Sequence, residues 1–521
     1  MKPWRICLFF CLVLFFIFLL SLISDEDVIL LSGGQKLRMP VFAQFVNSWQ
    51  RSNVQNNQIS SLPKENDICS VPENEQQEET STNSVKRSLL SDTTVPENTR
   101  HTSYKQVSVS QMPQAAVQTK TTVPTGKNGV QAIEYPPDNA QCLYPFFKAL
   151  KSLDDGNSLI RILHYGDSQI EGDRVTSFLR NELQKRFGGL GNGLFFVKEM
   201  IHNNVSIQLL LSKNWITYGL RGVRQMPKSF NRYGVMMTFA RFNDFSDYVN
   251  HPGALYEASM HIKKQPFSYA LSKHFKVFKI YYGYNKKPFL VQMINAGIPL
   301  EAEIIPPTDN IQILEWHFDM TPDEFSVFFQ GEDSPNVYAV AMDNVSGIAV
   351  DNIPLCGSSG LEFARNDPVF FADMYNTLNV KLVILQIGVN VVPRVLSDYS
   401  FYENQLVKQL LFLKNIHPDL SILLVGVSDM SRKVGERYES YPNIEKIREA
   451  QRRAAFRTGC AFWDTYAAMG GKNSMQKWVF STPPLAQKDF VHFTYAGSKY
   501  IAEMIAKAII NDYNDYLYST P

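Results

Sequence analysis

Five short apolar runs constrain this chain more than any other feature: Leu159–Tyr165, Ile348–Pro354, Leu382–Ile387, Ile422–Val427 and Ala461–Trp463. Each has the length and composition of a strand. A helix-like stretch, Val175–Phe187, follows the first. Amphipathic helix candidates, Ser400–Ile416 and Ile444–Thr458, separate the later ones, and a last helix runs from Ala496 to about Tyr513. A short helix-like lead-in, Cys142–Leu150, precedes them all. Strand alternating with helix over these lengths predicts a parallel sheet with helices on both faces. In such sheets a ligand sits beyond the carboxyl ends of the strands.

The expected fold class is therefore α/β, with a doubly wound, flavodoxin-like parallel sheet in three α/β/α layers. One interval breaks the rhythm. Residues 205–344 hold β-type segments such as Phe275–Tyr282, Phe289–Ile294, Ile311–Phe318 and Val337–Met342, separated by turn-like clusters and with no long helix. That pattern predicts an inserted β-sandwich domain, which splits the α/β domain into residues 134–204 and 345–521.

The N-terminus has a different character. Lys2 and Arg5 precede an uncharged apolar run, Ile6–Ile23, and Asp25, Glu26 and Asp27 follow it. At about 1.5 Å per residue the run reaches about 27 Å, close to a bilayer core. Basic before and acidic after places the bulk of the chain outside the cytoplasm. An uncleaved membrane anchor over residues 1–24 competes with a cleaved signal peptide. The length of the run and the poor match of Leu20-Ser21-Leu22-Ile23-Ser24 to a cleavage site of the A-x-A kind favour the anchor. Residues 25–133, rich in Gln, Asn, Ser and Thr, are expected to form a disordered polar spacer.

Of the 521 residues 45% are hydrophobic, enough for at least one large core. The formal net charge of +1 offers no basic excess for nucleic acid. Six cysteines are scattered without a CxxC pair, so no disulfide framework is expected, although a Cys69–Cys142 bridge across the spacer stays open.

The candidate chemistry begins at Gly166-Asp167-Ser168, where the first run turns toward a helix. A hydroxyl at a helix N-terminus is a candidate nucleophile, because outward N–H groups favour developing negative charge. A serine nucleophile needs a base, an orienting group and oxyanion donors. Asp489 and His492 supply the first two, in a loop before the last helix. Asn390, in Gly388-Val389-Asn390 after the third run, offers an amide donor. Gly357 or Gly360, after the second run, offers a backbone N–H. Each piece has an ordinary structural explanation: a turn Asn, a loop Gly, a packed His. Their order along the chain is more specific than any one of them.

Taken together, the four blocks resemble the SGNH/GDSL serine hydrolase family. The resemblance implies Ser168 as nucleophile, His492 as general base and acid, and Asp489 as its orienter. Ser168 N–H, Gly357 N–H and the Asn390 amide would form the oxyanion hole, and Asp167 would hold the turn. This chain departs from the lipase branch at Gln169 and continues its asparagine block with Val391. The stretches His164–Arg174 and Ala461–Gly471, with the β-insert, look like bacterial envelope members, the peptidoglycan or glycan O-acetylesterases, in which a carbohydrate-binding-like module accompanies the hydrolase. The implied activity is extracytoplasmic removal of an O-acyl group, most simply O-acetyl, from a glycan such as peptidoglycan, without metal or organic cofactor. Three alternatives stay open: an O-acetyltransferase with the same triad, a non-catalytic envelope glycan-binding protein and a lipid esterase. Met469-Gly470-Gly471 and Trp478 are candidate pocket residues, against ordinary loop packing. Trp316 is a candidate for sugar stacking, against a place in the β-core.

Overall fold

The five apolar runs lie side by side in one sheet. Ile133–Glu134 (β1), Leu159–Gly166 (β2), Gly347–Pro354 (β3), Val380–Gln386 (β4), Ser421–Val425 (β5) and Ala461–Trp463 (β6) have the spatial order β3-β2-β4-β5-β6-β1. Strands β2 to β6 are parallel, and the short β1 adds antiparallel to β6. This is a computed structural model, and it describes residues 28–30, 36–38, 130–198, 206–220, 224–266, 268–295, 297–300 and 302–519.

The helices Tyr144–Lys151 (α1), Thr176–Phe187 (α2), Pro368–Thr377 (α3), Ser400–Ile416 (α4), Ile444–Arg457 (α5) and Tyr495–Ser519 (α6) cover the sheet. Side chains alternate along a strand, so β2 feeds two cores. Ile160 and Ile162 join Phe147 of α1, Leu179 of α2 and Ile505 of α6. Leu163 and Tyr165 join Phe371 of α3, Leu406 of α4 and Ala450 of α5. Burial on both faces explains why these strands are apolar at nearly every position.

Helix α3 had no counterpart in the periodicity, because its apolar residues do not make a narrow stripe. Its signal is at the start: Asp367 caps the helix by accepting the N–H of Phe370 at 2.9 Å, and Pro368 follows.

Between α2 and β3 the chain builds two antiparallel six-stranded sheets. One contains Val277–Asn285, Thr308–His317 and Asn336–Asp343, and the other contains Tyr256–Lys264, Phe289–Asn295 and Glu324–Gly331. Their facing sides share a core of Phe278, Ile280 and Met342 with Met260, Met293 and Val327. The first sheet is buried on its other side too. There Tyr281 and Tyr338 join the α3–α5 core, and the Tyr338 ring lies 5.2 Å from that of Phe370. Arg161 of β2, fully buried, pairs with Asp343 at the end of the last insert strand and with Asp351 of β3.

The β-rich interval begins before residue 205. Gly193–Phe195 already pairs with Val340–Met342 in the first sheet. The glycines of residues 188–193 read as a loop because the strand's partner lies far along the chain.

The N-terminal expectations meet the structure only in part. Val28–Leu30 and Lys36–Arg38 form an antiparallel hairpin, so residues 25–133 are not uniformly without structure. Branched and apolar residues flanking Ser32-Gly33-Gly34 are a hairpin signal. The sheet also takes in residues just before 134, since Gln131 accepts the Trp463 indole N–H at 3.1 Å. The anchor expected over residues 1–24 and most of the spacer lie outside the described residues. Among the described residues no helix is long and apolar enough to cross a membrane. Cys142 is a free, buried thiol, and Cys69 lies outside the described residues.

Candidate active site

Strand β2 ends at Gly166, where a Cβ would stand 2.8 Å from the Ile170 side chain and 3.0 Å from the Gln386 carbonyl. The chain must turn there without a side chain. Asp167 then caps the turn by accepting the Gln169 N–H at 3.0 Å. Ser168 opens a 3-10 segment, Ser168–Asp173, which leaves helical geometry at Glu171 and Gly172. Helix α2 starts only at Thr176. The serine therefore stands on a separate turn and not at the N-terminus of the α-helix. This corrects the expectation from the motif, since a macrodipole acts only within the first turn of its helix.

The turn meets the loop before α6. Ser168 Oγ lies 2.8 Å from His492 Nε2, and His492 Nδ1 lies 2.7 Å from Asp489 Oδ2. An ionised carboxylate only accepts, so Nδ1 carries the proton and the Nε2 lone pair faces the serine hydroxyl. Asp489 Oδ1 also accepts the N–H groups of Val491 and His492, at 2.9 and 3.1 Å. Burial pushes the Asp489 carboxyl up, but the bond from His492 and the two N–H bonds outweigh it and hold the group below the usual carboxylate range. Between the two, Phe490 takes a left-handed φ of 60° and stacks on Tyr438, with 3.6 Å between ring centroids. The His492 and Asp489 side chains are 28% and 42% exposed, so the pair borders solvent.

The third and fourth blocks join the same edge. After β4, Gly388 has φ 136°, and a Cβ there would lie 2.7 Å from Val427. The exposed Asn390 donates from Nδ2 to the Ser358 carbonyl at 2.9 Å, which leaves one amide hydrogen for another acceptor. That bond ties the asparagine block to the glycine block. Of the two candidate glycines, Gly360 already donates its N–H to Ser358 Oγ at 2.8 Å. Gly357 lies one residue before Ser358, whose carbonyl holds Asn390.

Asp167 does more than hold the turn. Its buried carboxylate accepts the N–H groups of Gly388 and Val389, at 3.0 and 3.2 Å, besides that of Gln169. Burial raises the carboxyl to about 6, against the pull of these three N–H donors.

Gln169 ties the serine turn to the histidine loop. Its Nε2 donates to the Val491 carbonyl at 2.7 Å, and its Oε1 accepts the Phe493 N–H at 3.2 Å. In the sequence this residue stands as a departure from the lipase branch and as part of the His164–Arg174 stretch, with no role of its own. Its spacing from His492 gives no local signal.

Of the two candidate tryptophans, Trp478 is core and Trp316 lies at a core edge. Trp478 is 6% exposed, donates to the Met469 carbonyl at 3.1 Å and packs 5.5 Å from Phe493. It belongs to a short helix, Ser474–Val479, and not to a loop. Trp316 is half-buried beside Phe278 at the edge of the insert core.

No family model and no curated protein matches the chain. Solved structures do. One titled "Peptidoglycan O-acetylesterase in action, 5 min" aligns over 71% of this chain and 96% of its own, with TM-score 0.55 and 21% identity. The two chains share a fold. Family two carbohydrate esterases from Clostridium thermocellum and Cellvibrio japonicus align with 49% and 60% of this chain and 92% and 99% of theirs, at 9% and 10% identity. Their TM-scores of 0.22 and 0.23 carry no argument. The fold of the peptidoglycan O-acetylesterase agrees with the resemblance to SGNH/GDSL hydrolases drawn from the four blocks. In this chain the serine turn follows β2, the Gly388–Asn390 loop follows β4, and the histidine loop comes after β6 and before α6.

Proposed function

We propose that the protein is a serine esterase that removes an O-acyl group, most simply O-acetyl, from a glycan. The observation that carries this is the relay from Ser168 Oγ through His492 to Asp489, with both links at or below 2.8 Å. Ser168 Oγ attacks the ester carbonyl carbon while its proton passes to His492 Nε2. The oxyanion is held by the Ser168 and Gly357 N–H groups and the Asn390 amide. As the carbon–oxygen bond to the sugar breaks, His492 gives the proton to the departing alcohol. Water then attacks the acyl-serine, His492 takes its proton and returns it to Ser168 Oγ, and the carboxylic acid leaves.

The exposure of His492 and Asp489 favours water over a sugar hydroxyl as the acceptor, hence an esterase over an O-acetyltransferase. The strand order supports placing the sheet among the doubly wound, flavodoxin-like folds. The shared fold with a peptidoglycan O-acetylesterase supports acetylated peptidoglycan as the substrate class, with the β-insert as a carbohydrate-binding-like module. The apolar run Ile6–Ile23 supports a single-pass anchor with the catalytic domain outside the cytoplasm.

Acetate release from O-acetylated peptidoglycan tests the proposal. Release by the intact chain and its loss in Ser168→Ala are expected. Equal release by both would remove Ser168 as the nucleophile, and no release but retained glycan binding would remove the enzyme reading.

A further inference from the structure

Gln169 is 2% exposed, and its side-chain amide grips the main chain on both sides of one residue, His492. The other bonds of this loop run elsewhere. Ser431 N–H donates to the Phe490 carbonyl at 3.1 Å, and Gln487 N–H donates to the His492 carbonyl at 2.8 Å. Asp489 braces the loop from within. Among the bonds that hold the 490–493 main chain, those of Gln169 come from the serine turn. Since Gln169 is the neighbour of Ser168, a pair of adjacent residues contacts both the His492 ring and the main chain of the residues on either side of it.

We propose that Gln169 is a positioning residue that sets the Ser168–His492 distance; this rests on the esterase reading above. The amide is the group the task requires. One end must donate to a carbonyl and the other must accept from an N–H, and a side-chain amide presents both on one planar head without having to change protonation state. Gln has the longer stem. Nε2 also approaches Ser428 Oγ at 3.4 Å. Proton transfer to His492 depends steeply on that distance, and a misplacement of about 1 Å can cost on the order of 100-fold in rate.

The experiment compares the full chain with Gln169→Met, which removes both bonds at similar size, and Gln169→Glu, which keeps the acceptor but faces the Val491 carbonyl with a carboxylate. Hydrolysis of p-nitrophenyl acetate is normalised to the serine titrated with a fluorophosphonate, so only folded sites count. Gln169→Met should label to full stoichiometry but turn over roughly 10- to 100-fold more slowly per site, with KM within about twofold. Gln169→Glu should recover relative to the parent as pH falls, because a protonated carboxyl can again donate to the Val491 carbonyl. A merely structural role would move neither the per-site rate nor this pH ratio. Unchanged turnover per labelled serine in Gln169→Met overturns the proposal. Should that variant fail to fold, a Gln169→Glu ratio that does not change with pH overturns it alone. Should the parent itself neither label nor hydrolyse, the esterase reading falls and this proposal with it.

Discussion

Ser168 Oγ meets His492 Nε2 at 2.8 Å although 324 residues separate them in the chain. The whole β-insert lies between the two. Replacing Ser168 with Ala should therefore abolish ester hydrolysis without unfolding the protein, since the small hydroxyl stands on the turn after β2 and bonds His492 and not a core group. The expected loss in kcat is about 10⁴-fold or more. A fluorophosphonate that still labels Ser168→Ala would show that another nucleophile reacts.

The acid limb of kcat/KM should report His492. Its ring must be neutral to accept the serine proton. Asp489 does not supply that limb, because its hydrogen bonds hold it ionised below the usual carboxylate range. Asp489→Asn should lower kcat by about 100-fold or more, since Nδ1 loses the partner that fixes the tautomer. Hydrolysis retained by His492→Gln would exclude His492 as the base.

Asn390→Ala should lower kcat by roughly 100-fold with little change in KM, as the loss of an oxyanion donor does. The same change removes the bond to the Ser358 carbonyl. A rise in KM at constant kcat would instead assign Asn390 to ground-state binding.

Asp167 makes a pH-dependent contribution to stability whose sign follows from its burial. Its carboxyl titrates near 6 in the folded protein, against an ordinary value of about 3.9 in an unfolded chain. Between these values the folded state binds a proton that the unfolded state does not. The contribution of this group is present below about pH 4, falls as pH rises through about 6, and is lost above it. The window corresponds to an order of 3 kcal/mol. The difference in urea midpoint between the parent and Asp167→Asn should follow this curve, and a flat difference would remove the assignment.

Arg161→Met should destabilise the protein by about 3 to 5 kcal/mol, because it leaves Asp343 and Asp351 buried without their counter-charge. Urea denaturation measures it. A loss below about 1 kcal/mol would show that the two carboxyls take up protons instead.

The sheet strands were legible because burial on both faces forces residues such as Leu382 to Gln386 and Ile422 to Val425 to be almost entirely apolar. The strand Gly193–Phe195 was not, because a three-residue strand at the end of a glycine-rich stretch is defined by its partner and not by its composition. Helix α3 has no clear sequence stripe because the exposed Val369 and the half-buried Ala372 interrupt the buried face of Phe370, Phe371, Met374 and Tyr375. Trp478 was misplaced for a related reason: a Gly-rich stretch before it suggests a loop, while the tertiary core takes the indole.

The sequence by itself determined the strand-and-helix rhythm, the β-rich interruption and the residues of the four blocks, because these rest on hydrophobic patterning and on local turn chemistry. Only the tertiary structure decided how the blocks are joined. Asp167 reaches the Gly388–Asn390 loop, Asn390 reaches Ser358, and Gln169 clasps the main chain around His492. These are hydrogen bonds between segments distant in sequence. Their geometry exists only once parallel strands bring their carboxyl ends to one edge, and no periodicity in a single segment encodes them.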